Sequence, residues 1–335
     1  LQETITNTLT AVLTASGTVT ATGSVTPTVP INIPLPGNTG LLITSYGVVM
    51  AFALVLAVAP ALYLRRRFGA TWLNFGWGAF VGIVAQFAIG YLVQPLAASV
   101  VGGDPSKLQG FNLFLAELVL IAFSAILNIA LLYLAYVLIL KWIYDRTWAN
   151  AMMFGAGGLA LNAIGSLAFA ALQGLSFLLG PPTELPVDQV ASYRDFVKSL
   201  GTLSGVEPLF SLLSVAAQGA VLFGVAVLVM QTLKGRGWQW AAIALALYAA
   251  PNVVASFAGN VLSPNGLLVA GAVNYPLLLG CALVGLYFVR RFFEVEVRDE
   301  QREAVQAAAN PPRAVEQVMT DIKEEPPAPR NRRRR

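Results

Sequence analysis

The chain has no histidine and a single cysteine, and charged residues make up only 11% of its 335 positions. Each scarcity excludes a class of chemistry. Without histidine there is no Ser-His-Asp triad and no imidazole proton shuttle. Zinc, haem and iron–sulfur centres normally take His or Cys ligands, so neither a metal nor a cofactor is expected. One cysteine cannot form a disulfide within the chain. Cys281 lies inside an apolar run and reads as a small buried residue.

Soluble domains carry roughly 25% charged residues. This chain is 56% hydrophobic with a mean hydropathy of +0.68, and its charges cluster in short turns and at the C-terminus. Two soluble domains could not hide so many long apolar runs. The pattern predicts an all-α membrane protein, a polytopic bundle of about seven transmembrane helices at 41–293. A Thr/Pro-rich arm, 1–40, precedes it and a charged tail, 294–335, follows. The first residue is Leu1 rather than Met; a cleaved signal peptide would explain this and place the N-terminus outside.

The apolar runs fall at 41–64, 72–101, 111–144, 148–179, 208–233, 238–258 and 267–293. About 20 apolar residues cross a bilayer, and the third run is long enough to imply tilt or projection. The fourth carries Gly155, Gly157, Gly158, Gly165 and Gly174. Small residues let membrane helices approach closely, so it is expected at the centre of the bundle. Between the fourth and fifth runs, 187–200 spaces its apolar residues by three and four, as an amphipathic interfacial helix does. The arm alternates Thr and Val and then fills with Pro, which favours extended backbone. It is expected outside the membrane, adding to a partner's strands.

Lys and Arg placement sets the orientation. One set of connections holds Arg65, Arg66, Arg67, Lys141, Arg146, Lys234, Arg236, Arg290 and Arg291; the other holds only Lys107, Arg194 and Lys198. The first set is expected in the cytoplasm of a multi-pass cell-membrane protein, with the C-terminal tail. Arg65, Arg66, Arg67, Arg290 and Arg291 are then the lipid-facing basic residues. The tail ends on Arg332-Arg333-Arg334-Arg335, which attracts anionic lipid. No folded basic domain with aromatic platforms is present, so nucleic acid is not expected as a partner.

Glu117 is the one acidic residue well inside a span. An ionisable group there points to function: a proton or cation site, or a pair with Lys107. Asn128, Asn162, Gln218 and Asn252 also fall within spans. They read either as glue between helices or as the lining of a polar cavity. Asn252 leads that second reading because Pro251 frees a backbone carbonyl beside it.

Several stretches run in a recognisable order. They are Leu64-Arg65-Arg66-Arg67-Phe68-Gly69-Ala70, Gly78-Ala79-Phe80 with Gln86, and Trp148 followed by the Gly-rich 153–164. Glu207-Pro208-Leu209-Phe210 and Leu247-Tyr248-Ala249-Ala250-Pro251-Asn252 come after them. Across spans two to six this order resembles the YhfC-type membrane peptidase family of glutamic-type intramembrane proteases. The resemblance implies a peptidase bundle with a Glu-Glu pair in the third span, a Gly-His-Gly-Gly-x-Glu pattern in the fourth and His in the fifth and sixth. Here the third span has Ser124, Ala125 and Asn128 in that region. The fourth-span His and Glu align with Gly158 and Asn162, and the sixth-span His aligns with Tyr248. Glu207 matches, but Pro208 stands where an Arg is expected. Hydrolysis needs a titratable group placed to activate water. The resemblance therefore implies a member that kept the bundle and lost the chemistry. The function expected is a non-enzymatic membrane subunit or scaffold that binds a membrane or cell-surface protein. A small-solute transporter or channel using Glu117 and the amides is the alternative. A divergent peptidase relying on Glu117 or Glu207 is the third reading.

Overall fold

A computed structural model describes residues 28–30, 35–89, 91, 110–140, 147–202, 207–262 and 267–309. They form an all-α polytopic bundle with one short antiparallel strand pairing. Helix α1 is Thr39–Phe68, α2 Trp72–Ala88, α3 Gly110–Leu140 and α4 Trp148–Asn162. A π-helical turn at Ala163–Ala168 carries α4 into α5, Phe169–Leu179. After these come α6 Val187–Thr202, α7 Glu207–Leu233, α8 Gln239–Phe257 with a π turn at Ala258–Leu262, and α9 Leu267–Ala309. Among the described residues six helical segments are long and apolar enough to cross a membrane, and α2, with 17 residues, is a shorter apolar helix. The second run was expected to extend to 101. Ile89 and Tyr91 continue it in π geometry, and 90 and 92–100 lie outside the described residues.

Local chemistry sets the ends. Gly69 stops α1 by adopting φ +67° and donating its N–H to the Arg65 carbonyl, a left-handed cap that costs glycine no steric penalty. Thr147 starts α4, its side-chain oxygen accepting from the Asn150 N–H.

The successive helices alternate in direction. Phe68 meets Trp148 edge-on at 5.2 Å, Tyr133 stacks on Trp238 at 5.8 Å and Trp240 lies 6.2 Å from Phe288. These contacts gather the end of α1, the ends of α3 and α9's apolar stretch, and the starts of α4 and α8. At the opposite end Phe114 meets Phe257 at 5.5 Å and Phe210 meets Tyr275 at 5.2 Å.

The Gly-rich fourth run is central, as its composition predicts. Every residue of α4 from Trp148 to Gly157 is buried. A Cβ on Gly157 would sit 2.1 Å from the Phe75 carbonyl oxygen, and one on Gly78 would sit 2.1 Å from that of Phe154. The α2 and α4 backbones therefore touch directly. Against the far part of the same run α1 lays Leu42, Tyr46, Val49, Ala53 and Ala57, one stripe at helical spacing, onto Leu159, Ala163 and Leu167.

The arm is expected as extended backbone, and its described strand is extended; residues 1–27 and 31–34 lie outside the described residues. Its described part, β1 at Thr28–Pro30, pairs antiparallel with β2 at Glu184–Pro186 of the same chain, Val29 opposite Leu185. Extended backbone must place its N–H and C=O groups somewhere, and the turn after α5 supplies the complementary edge. A Val29→Pro substitution removes the central ladder donor. It is expected to speed proteinase K cleavage near this segment while leaving the melting temperature of the bundle almost unchanged.

The amphipathic segment expected at 187–200 is α6, with Tyr193, Val197 and Leu200 buried and Arg194, Asp195 and Lys198 exposed. The chain divides at Val289/Arg290 into two compact units. In the second, Arg290 Nε donates to Glu294 Oε1 at 3.0 Å, an exposed pair one helical turn apart of the kind that adds little stability.

Candidate functional site

Glu117 lies on α3, seven residues past its start, among Phe114, Leu115, Ala116, Leu118 and Val119. At about 1.5 Å rise per residue this is some two turns along the axis. Its side chain is half-buried, and Oε2 accepts from Asn260 Nδ2 at 2.7 Å. Asn260 belongs to the π turn that ends α8. Its Nδ2 also lies 3.4 Å from the hydroxyl of Ser256, four residues earlier and 9% exposed. The wider π register is common at functional positions, and here it faces an amide toward a carboxylate on another helix. Phe114 and Phe257 cross edge-on beside the cluster.

Two of the four expected cavity amides bond within their own helices. Asn128 Nδ2 donates to the Ser124 carbonyl at 2.8 Å, and Asn252, which is exposed, donates to the Tyr248 carbonyl at 3.3 Å. Both bonds close within their own helix. Asn162 and Gln218 are half-buried, and among the described residues no hydrogen bond joins any two of the four. The expected lead of Asn252 reverses because the Pro251 ring is buried while Asn252 points away from the protein. Asn260, which the sequence reading passed over, is the amide that meets Glu117. The four-residue step from Ser256 was its legible signal. The expected Glu117 partner Lys107 lies outside the described residues, as does the side chain of Glu207.

A second polar group lies at the opposite end. Asn150 Oδ1 accepts from the Thr71 N–H at 3.2 Å. Among the described residues neither amide atom of Asn74, 1% exposed, has a hydrogen-bond partner. Tyr136 is fully buried with its hydroxyl 3.4 Å from the Ala151 carbonyl and 3.3 Å from that of Ala226. Trp148 Nε1 donates to the Val289 carbonyl at 2.8 Å. These bonds tie α3, α4, α7 and α9 together.

Of the expected lipid-facing basic residues, Arg65, Arg66 and Arg67 are exposed in the last turn of α1. Arg65 Nη1 donates to the Ala70 carbonyl at 3.2 Å. Ala59, Leu62, Tyr63, Arg66 and Arg67 share one open, exposed face of α1. Arg290 and Arg291 are exposed on α9. Among the described residues no group of three or more acidic or Cys side chains could hold a metal ion.

No family model, curated protein or solved structure matches the chain.

Proposed function

We propose that the chain is a non-enzymatic, cell-membrane scaffold subunit that binds a membrane or cell-surface protein through its arm. The observation that carries this reading is the dense centre of the bundle. α4 is buried along its first ten residues and backbone meets backbone at Gly78 and Gly157, while Asn128 and Asn252 spend their donors on their own helices. A packed interior in which these two amides turn back on their own helices suits a scaffold better than a solute path. The positive-inside rule then puts Arg65–Arg67, Lys234 and Arg236 in the cytoplasm and the β1–β2 end outside. Tyr63, Arg66 and Arg67 fit an interfacial belt against anionic headgroups. Kinship with the YhfC-type peptidases belongs to the same proposal: it accounts for a bundle in which Gly158, Asn162 and Tyr248 stand where that family has catalytic groups.

The test is the mass of the complex purified in mild detergent. Removing residues 1–27, with β1 retained, is expected to release a stoichiometric partner while the bundle still melts at its normal temperature. A partner that stays bound without the arm would overturn the reading. So would cleavage of a membrane substrate that is lost in Glu117→Gln or Glu207→Gln.

A further inference from the structure

We infer that Glu117, Ser256 and Asn260 form a binding site for one desolvated monovalent cation of the sodium class. The site does not depend on the scaffold reading. A carboxylate offers about four lone-pair positions, and Glu117 uses one, toward Asn260 Nδ2 at 2.7 Å. No Lys or Arg among the described residues lies within ion-pair distance of it. A charge within an apolar span is normally paired or serves an ion.

The ligand chemistry is already gathered. The Asn260 amide nitrogen stands between the carboxylate and the Ser256 hydroxyl, at 2.7 and 3.4 Å. Half a turn about its Cβ–Cγ bond puts the amide oxygen in that position. Carboxylate, hydroxyl and amide oxygens then face one point, where a cation relieves the repulsion that two close oxygens would otherwise feel. Three oxygens of this kind suit a hard ion and offer nothing to a soft one. One negative charge balances one positive charge, so a divalent ion would leave the site with an uncompensated charge. The Phe114–Phe257 pair, at 5.5 Å, makes one wall apolar and favours an ion that has shed water. The bound ion would clamp α3 to α8.

The clamp predicts a melting temperature that depends on the identity of the cation. Purified full-length protein is dialysed into sodium, potassium or choline chloride at equal ionic strength and followed by tryptophan fluorescence. Sodium at about ten times its dissociation constant should raise the midpoint by roughly 3 °C over choline. Glu117→Gln should abolish the difference and Ser256→Ala should reduce it, whereas Asn128→Ala should leave it intact. If Glu117→Gln does not fold, sodium-23 line broadening on wild-type protein, competed by lithium but not by choline, reads the same site. Equal midpoints in all three salts together with no broadening would overturn the inference. It also falls if the sodium shift persists in Glu117→Gln. A Lys107→Gln variant that is destabilised equally in every salt, with wild type indifferent to sodium, would show Lys107 to be the counter-charge and sink it as well.

Discussion

Gly157→Ala is expected to destabilise the bundle by about 3 kcal/mol, near the top of the range for overpacked cores. The added methyl would stand 2.1 Å from the Phe75 carbonyl oxygen and 2.7 Å from the Ala79 nitrogen. Both obstacles are backbone, so no side chain can swing aside, and α2 must move away from α4. Gly78→Ala meets the same contact from the other helix, 2.1 Å from the Phe154 oxygen. The two substitutions should therefore be strongly non-additive, because the first has already separated the helices. Gly47, with nothing within 4 Å of its would-be Cβ, is the control. Gly47→Ala should be neutral or stabilising by up to about 1 kcal/mol, since glycine is a poor helix former. Thermal unfolding in detergent decides the matter. A Gly157→Ala protein that melts with wild type would mean the helices do not touch.

Trp148→Ala should be comparably severe, costing about 3–5 kcal/mol for the lost ring. Trp148 is 7% exposed, lies 5.2 Å from the Phe68 ring and donates Nε1 to the Val289 carbonyl at 2.8 Å. Its loss opens a cavity between the end of α1 and the start of α4 and removes the side-chain tie to α9, whose Val289 carbonyl keeps its intrahelical partner. Trp148→Phe separates the two effects: the aromatic contact survives while the hydrogen bond goes, at about 1–2 kcal/mol. Chemical denaturation of the three proteins in one detergent should rank them wild type, Phe, Ala. Equal stability of Phe and wild type would remove the Val289 bond from the account.

Much of the architecture was legible in the residues. Long uncharged runs ending on Arg65-Arg66-Arg67 or Lys234-Gly235-Arg236 mark membrane spans because hydrocarbon admits few unpaired charges. The Gly and Ala of 148–162 mark the centre because only small side chains let backbones meet. The candidate site was half legible. Glu117 stands out in any apolar run, but its partner Asn260 comes 143 positions later, one amide among several, marked only by its four-residue step from Ser256.

By itself the sequence determined that this is a membrane bundle, roughly where each helix begins and ends, and which helix is innermost. Those follow from properties that act within a few residues: transfer free energy, capping geometry and side-chain size. Only the tertiary structure decided which polar groups meet. It turned Asn128 and Asn252 back onto their own helices, brought Asn260 to Glu117 through a π turn, and paired Val29 with Leu185 of the same chain. Helical periodicity gives a polar residue its face, but the rotation of the neighbouring helix decides whether another polar group stands opposite. That rotation depends on close approaches such as Gly78 and Gly157, which the linear order does not contain.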